Sequence, residues 1–74
     1  MNLKKLLEVA NCNVMIMRES DIVLCLTASF ISESICLLSD SLLYSDIKLI
    51  EVNPSNASIN VWLVEDCDWY FKNI

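Results

Sequence analysis

No glycine occurs anywhere in the 74 residues of this chain. Because glycine takes backbone conformations with positive φ at little cost, its absence disfavours tight primed turns and loops that closely approach a ligand. Phosphate-binding loops, dinucleotide fingerprints and the hydrolase nucleophile elbow all need glycine and are excluded. Histidine is absent as well, which removes the commonest general base and metal ligand. These absences predict a protein that is not an enzyme and that uses no cofactor.

Length and composition predict a single small globular domain over residues 1–74. Hydrophobic residues make up 55% of the chain and charged residues 20%, so enough apolar surface is present to offset the entropy lost on folding. A chain this short buries only about 60% of its unfolded surface, and we expect some apolar surface to remain exposed as an interface. The longest uncharged run, residues 22–32, is much shorter than a membrane-spanning helix. Glu8 interrupts the apolar start too early for a signal peptide, which favours a cytoplasmic protein.

The four cysteines lie at positions 12, 25, 36 and 67. Their spacing resembles no disulfide framework or zinc site, and no histidine is present to complete a zinc site. We interpret them as free thiols that behave as small hydrophobic residues. A disulfide or a reactive thiol at Cys67 is the alternative.

The pattern of residues Ser29–Tyr44 predicts one substantial helix at the centre of the fold. Ser29 is suited to cap the first turn, because its hydroxyl can accept a hydrogen bond from an unpaired amide. Apolar residues at helical spacing fall within about 60° of one another on a helical wheel, as the core-facing stripe of a helix does. This stripe consists of Ile31, Ile35, Leu38 and Leu42.

A second apolar line recurs every seven residues along the predicted helix, at Phe30, Leu37 and Tyr44. It indicates either a second packing face against the N-terminal helix or a surface for self-association. The small residues Ser34 and Ser41 lie between the two lines and would let another backbone approach closely.

The segment before the central helix predicts a short helix and a β-hairpin. Residues 3–10 carry an apolar face at helical spacing behind Asn2, which is a suitable cap. Residues 14–17 and 22–26 are continuous apolar runs whose β-branched side chains favour strands. The connection, residues 18–21, is expected to be a four-residue loop because no glycine is available for a tighter turn.

A second hairpin is predicted after the central helix. Residues 47–52 break strict alternation at Leu49-Ile50, as a bulged strand does. Residues 53–56 form the strongest turn signal of the chain. Residues 59–65 follow as a strand that places Trp62 on the face opposite its apolar side chains.

The resulting αββαββ order predicts an α+β domain, an antiparallel sheet with the central helix and the short N-terminal helix packed on it. The first two strands are apolar on both sides, whereas a sheet covered on one face normally alternates. Either the two helices therefore lie on opposite faces, or one sheet face meets another molecule. Residues 69–71 are expected to form a short edge strand or a packed tail.

Ten carboxylates and five cations give the chain a net charge of −5. The cations are scattered and cannot form the basic stripe that binds a phosphate backbone, so direct nucleic-acid binding is disfavoured. Glu65, Asp66 and Asp68 could together coordinate Mg²⁺ or Ca²⁺ through oxygen. A solvated turn whose aspartates cap backbone amides is the simpler interpretation, and we predict no metal site.

Four of the six aromatic residues lie in the last thirteen positions, beside these carboxylates. Aromatic rings often anchor protein interfaces, and carboxylates attract a basic partner. The alternative role for the rings is to close the small core. The predicted partner-binding residues are Trp62, Glu65, Asp66, Asp68, Trp69 and Tyr70, with Glu33 and Asp40 as an acidic edge on the central helix.

We therefore expect a small acidic, non-catalytic protein that binds another protein with a basic surface. Its sharper form is an inhibitor that presents carboxylates where phosphates would sit and competes for the same lysine and arginine side chains. Small acidic phage proteins that inhibit bacterial defence nucleases are an analogy of class, without a shared motif. The alternative is an assembly subunit that self-associates, for example as a homodimer, through Phe30, Leu37 and Tyr44.

Overall fold

A computed structural model of the chain describes residues 1–72 and shows a four-stranded sheet with helices. The elements follow one another with short connections, and the helical segment separates two strand pairs. In chain order they are α1 (Leu3–Val9), β1 (Asn13–Arg18), β2 (Asp21–Leu26), a 3₁₀ turn (Ala28–Phe30), α2 (Ile31–Leu37), α3 (Asp40–Leu43), β3 (Ile47–Asn53) and β4 (Ser58–Leu63). The domain is α+β, as predicted.

Helix α1 forms as the sequence predicts. The Asn2 side chain accepts a hydrogen bond from the Lys5 amide at 2.9 Å, which satisfies one of the unpaired donors of the first turn. Leu3, Leu6 and Leu7 are buried. A helix of two turns is not stable alone, so α1 depends on this buried face.

The strand order is β2-β1-β4-β3, and the two central strands run parallel. The flanking pairs β1·β2 and β3·β4 are antiparallel hairpins. The prediction of an all-antiparallel sheet is therefore wrong, because its central pair of strands is parallel. The cause lies in the crossing segment: the helices carry the chain from the β2 edge of the sheet to the β3 edge, so that β1 and β4 meet side by side and in the same direction.

Both hairpin turns adopt positive φ without glycine. Glu19 has φ of 57° and Ala57 has φ of 51°. The first hairpin closes on the pair of Arg18 with Asp21, so its loop has two residues instead of the four that were predicted. Reasoning from the missing glycine failed here because the pairing of the two apolar strands outweighs the local cost of a left-handed residue.

Helices α1, α2 and α3 pack on the same face of the sheet. Side chains alternate across a strand and paired residues share a face, so the strand registers assign each residue to one side. The buried strand residues of the core fall on one side and cluster with buried leucines of the helices. The core includes Val14, Ile16, Leu26, Val61 and Leu63 from the sheet and Leu3, Leu7, Leu38 and Leu42 from the helical layer.

Within residues 1–72, no element covers the opposite sheet face. Ile22, Met17, Trp62 and Leu49 form a row across all four strands on this side. The Trp62 indole N–H donates to the Glu19 carbonyl at 2.8 Å, so the ring lies toward the first hairpin turn. The row ends on Ile22 and Leu49, which are 58% and 50% exposed. The predicted arrangement with the helices on opposite faces is therefore wrong. The alternative, that the uncovered face meets another molecule, stays a prediction.

The predicted helix over Ser29–Tyr44 is wrong as one element. Ser29 lies inside the 3₁₀ turn, where it caps nothing, and the chain is extended at Leu38 before α3 begins. The C-terminal segment pairs with this break: the Ser39 amide donates to the Tyr70 carbonyl at 2.9 Å, and Leu38 forms a β-bridge with Phe71. Tertiary hydrogen bonds thus replace helical ones. The buried stripe survives, since Ile31, Leu38 and Leu42 are buried and Ile35 is partly buried.

The second hairpin matches its prediction apart from its boundaries. Its bulge lies between Ile47 and Leu49, one residue before the predicted position. Strand β4 ends at Leu63, and the turn occupies residues 54–57. Residues 69–71 form no sheet strand; the packed-tail alternative is the one observed.

Candidate partner-binding groove

A shallow groove runs between α3 and the segment that follows β4. Ser41, Ser45 and Glu65 line its middle, Tyr44 lies at one end and Trp69 at the other. We call it the α3 groove. Its remaining lining residues are Asp46, Val64, Asp66, Cys67 and Asp68.

Backbone hydrogen bonds hold the two walls of the α3 groove together. At one end the Val64 amide donates to the Asp46 carbonyl at 2.9 Å. At the other end the Ser39 hydroxyl donates to the Trp69 carbonyl and accepts from the Leu42 amide at 3.1 Å. Ser39 is only 5% exposed, so this single side chain both caps α3 and anchors the opposite wall.

Arg18 reaches from the end of β1 and binds the acidic segment, residues 65–68. Its Nη2 donates to the Cys67 carbonyl at 3.2 Å and to Asp68 Oδ1 at 3.1 Å. Its Nε lies 3.4 Å from Asp66 Oδ2. The hydrogen bond to Asp68 is the main cause of a raised pKa of Arg18, and the guanidinium stays charged in any case. One cation therefore fixes the shape of the segment and offsets part of its negative charge.

The remaining carboxylates of the groove are unneutralised. Within residues 1–72, neither Asp46 nor Glu65 takes part in an ion pair, and both side chains are exposed. Tyr44 and Trp69 are 58% and 54% exposed. The Lys4 ammonium lies 5.6 Å from the centre of the Tyr44 ring, within the range of a cation–π contact. The groove thus combines negative charge with ring faces, both of which favour a cation.

The structure brings together half of the predicted partner-binding residues. Glu65, Asp66, Asp68 and Trp69 all line the α3 groove. Trp62 does not, because it lies on the open sheet face with its indole bonded to the first hairpin turn.

Three other predicted residues lie outside the α3 groove. Tyr70 is half-buried and packs against the core, which is the alternative role named for the aromatic residues. Glu33 is exposed in the first turn of α2, and Asp40 is exposed in the first turn of α3. Carboxylates at these positions interact favourably with the positive end of a helix.

The second apolar line, which was predicted for self-association, does not form one helix face, because the predicted helix is interrupted. Phe30 belongs to the 3₁₀ turn, Leu37 ends α2 and Tyr44 follows α3. All three are more than half exposed, so none packs as a second core face. Tyr44 instead forms one end of the α3 groove. Their role in self-association stays a prediction.

Sequence reasoning missed two features of the groove. Asp46 and Tyr44 lie in the groove because α3 ends directly before β3, which brings both residues close to residues 64–65. No local sequence pattern reveals this proximity. Arg18 is separated from its partners by some fifty residues, and only its isolation gave a signal: no other cation lies between it and Lys48.

Within the described range, no three cysteine or acidic side chains are grouped as a metal site would require. None of the helices in residues 1–72 has the length and apolar character needed to cross a membrane. Comparisons with protein-family models, curated proteins and solved structures gave no match.

Proposed function

We propose that this protein is a non-catalytic binding protein whose α3 groove receives a basic segment of another protein. The observation that carries the proposal is the pairing of two exposed rings, Tyr44 and Trp69, with the unpaired carboxylates of Asp46 and Glu65 between them. A lysine or arginine side chain satisfies both kinds of group, because its charge pairs with a carboxylate and its stem or guanidinium stacks on a ring.

The Lys4–Tyr44 contact supports this choice of ligand chemistry. A cation of the chain itself already lies against the ring at one end of the groove, which indicates that the ring is oriented for such a contact. The ring of Trp69 has no equivalent contact within residues 1–72. A basic side chain of a partner is therefore expected to bind first at the Trp69 end.

Inhibition is the sharper form of the proposal. A row of carboxylates on a protein of net charge −5 competes with nucleic acid for a basic surface, since both present closely spaced negative groups. We infer a cytoplasmic location, which the four free cysteines support, because thiols stay reduced in that compartment. Self-association as an assembly subunit remains the second candidate, favoured by the exposed side chains of Phe30 and Leu37.

Calorimetric titration with an octalysine peptide at low salt tests the groove. We expect the wild-type chain to bind and the double substitution Asp46→Asn with Glu65→Gln to weaken binding by about tenfold, because two exposed charge contacts are lost. Trp69→Ala is expected to weaken binding further at the same net charge as the wild type.

The matched control is Glu8→Gln with Glu33→Gln, which changes the net charge equally but lies outside the groove. It should retain most of the affinity. Absence of binding by the wild type, or an equal loss in the control, would show that the α3 groove is not the site.

A further inference from the structure

Strand β3 leaves one edge of the sheet open. It pairs with β4 on one side only. On its other side the N-terminal residues cover just the beginning: the Ile47 amide donates to the Met1 carbonyl at 3.0 Å, and Asn2 bridges Asp46. Among residues 1–72 nothing pairs with the stretch from Lys48 to Val52.

The pairing pattern identifies which backbone groups face this open edge. Even-numbered residues of β4 point their amides toward β3, because the Val64 amide donates to the Asp46 carbonyl. Alternation along an antiparallel pair then directs Leu49 and Glu51, the partners of Trp62 and Asn60, toward β4. The N–H and C=O groups of Ile50 and Val52 consequently point outward, as an unpaired template for another strand.

The side chains of this edge suit burial. Leu49, Ile50 and Val52 are 50%, 40% and 70% exposed. Edge strands are usually protected by proline, a short length, a β-bulge or charged side chains. This one has seven residues and no proline, and its bulge lies at the start, between Ile47 and Leu49, next to the end that the N-terminal residues cover. Its only charged residues are Lys48 and Glu51, which are of opposite sign and three residues apart.

We propose that a second copy of this chain pairs with the open edge of β3, antiparallel and about a two-fold axis at Ile50. In this register each Ile50 exchanges both backbone hydrogen bonds with its counterpart, Lys48 lies opposite Val52 of the other copy, and Leu49 lies opposite Glu51. The two four-stranded sheets join into one continuous sheet, and the interface is isologous, as in most dimers.

Two neighbouring registers are less favourable. An axis at Glu51 would place two glutamates opposite each other, which is destabilising. An axis at Leu49 would recruit Ile47, whose amide is already bonded to the Met1 carbonyl. The axis at Ile50 uses the open stretch from Lys48, the residue of the bulge, to Val52 and places no like charges opposite each other. Charge and hydrogen-bond pattern thus favour a second copy in one defined register.

Sedimentation velocity over a range of micromolar concentrations tests the dimer. The wild-type chain should show a reversible monomer–dimer equilibrium. Val52→Lys should weaken dimerisation at least about tenfold, because each introduced lysine lies opposite Lys48 of the other copy and the effect counts twice. Val52→Glu, which places a carboxylate opposite Lys48, should keep the dimer. Combining Lys48→Glu with Val52→Lys should restore it.

Amide exchange adds a readout that is specific to the edge. The Ile50 and Val52 amides should become protected as the concentration rises, whereas the Leu49 and Glu51 amides, bonded to β4, should be protected throughout. Circular dichroism of each variant verifies folding. A wild-type chain that stays monomeric, or a dimer that the Val52→Lys substitution leaves unchanged, would overturn the proposal, the latter by showing that copies associate elsewhere.

Discussion

Ser39 connects two distant segments of the chain through a single hydroxyl. Its hydroxyl accepts from the Leu42 amide at the start of α3 and donates to the Trp69 carbonyl. The Trp69 carbonyl also accepts from the Cys67 thiol at 3.2 Å. A single buried hydroxyl thus links the central helical segment to the C-terminal tail, which positions one wall of the α3 groove.

Ser39→Ala is expected to lower the free energy of unfolding by about 2 kcal/mol, because it removes a helix cap and a buried hydrogen bond to the tail. Urea denaturation measures the loss. Ser41→Ala is the matched control, since Ser41 is exposed on the same helix, and it should cost less than about 0.5 kcal/mol. Equal losses at the two positions would contradict the anchoring role of Ser39.

No local pattern predicts this role of Ser39. Residues 38–42 read as continuous helix, because a serine in a helical pattern carries no mark that distinguishes a cap from an interior position. The distinction arises from Trp69 and Tyr70, some thirty residues away. Their carbonyls accept hydrogen bonds from the Ser39 hydroxyl and the Ser39 amide, respectively.

Among the elements, the two hairpins show how far local sequence determines structure. Their strands were predicted within one or two residues, because β-branched apolar runs bounded by polar turns are strong signals. Their turns were less predictable. Ala57 adopts φ of 51°, a conformation that an alanine takes only under the constraint of the strands on either side.

Ala57→Gly is therefore expected to stabilise the domain by about 0.5–1 kcal/mol. The substitution removes the steric cost of an alanine with positive φ, and this gain exceeds the loss from the greater conformational entropy of the unfolded chain. Thermal and urea unfolding should both shift upward. Ala28→Gly is the control: its φ is not positive, so the substitution should be neutral or destabilising. A loss of stability at both positions would contradict the strain assigned to Ala57.

For the whole molecule, stability depends on one continuous core between the helical layer and one sheet face. Leu42, which is fully buried, contributes to this core from α3, a helix of only four residues. A domain of this length has only a few kcal/mol of net stability, so a single cavity at this position is a large fraction of the total.

Leu42→Ala should accordingly cost about 3 kcal/mol in the free energy of unfolding. The same substitution at Leu37, which is 57% exposed, should cost less than about 1 kcal/mol. Urea unfolding of both variants measures the difference, provided that the free energy of unfolding depends on urea concentration with the same slope in both. If the two losses were similar, the burial described for α2 and α3 would be wrong.

The sequence by itself determined the α+β class, the capped N-terminal helix, both hairpins and the identity of the buried stripe, because each depends on periodicity and on residues close together in the chain. It also grouped Glu65, Asp66, Asp68 and Trp69, which are neighbours along the chain. Only the tertiary structure decided the parallel pairing of β1 with β4, the break before α3 and the convergence of Tyr44 and Asp46 on the acidic segment. These features arise from hydrogen bonds and packing between distant segments, whose competition with local preferences cannot be judged from local sequence.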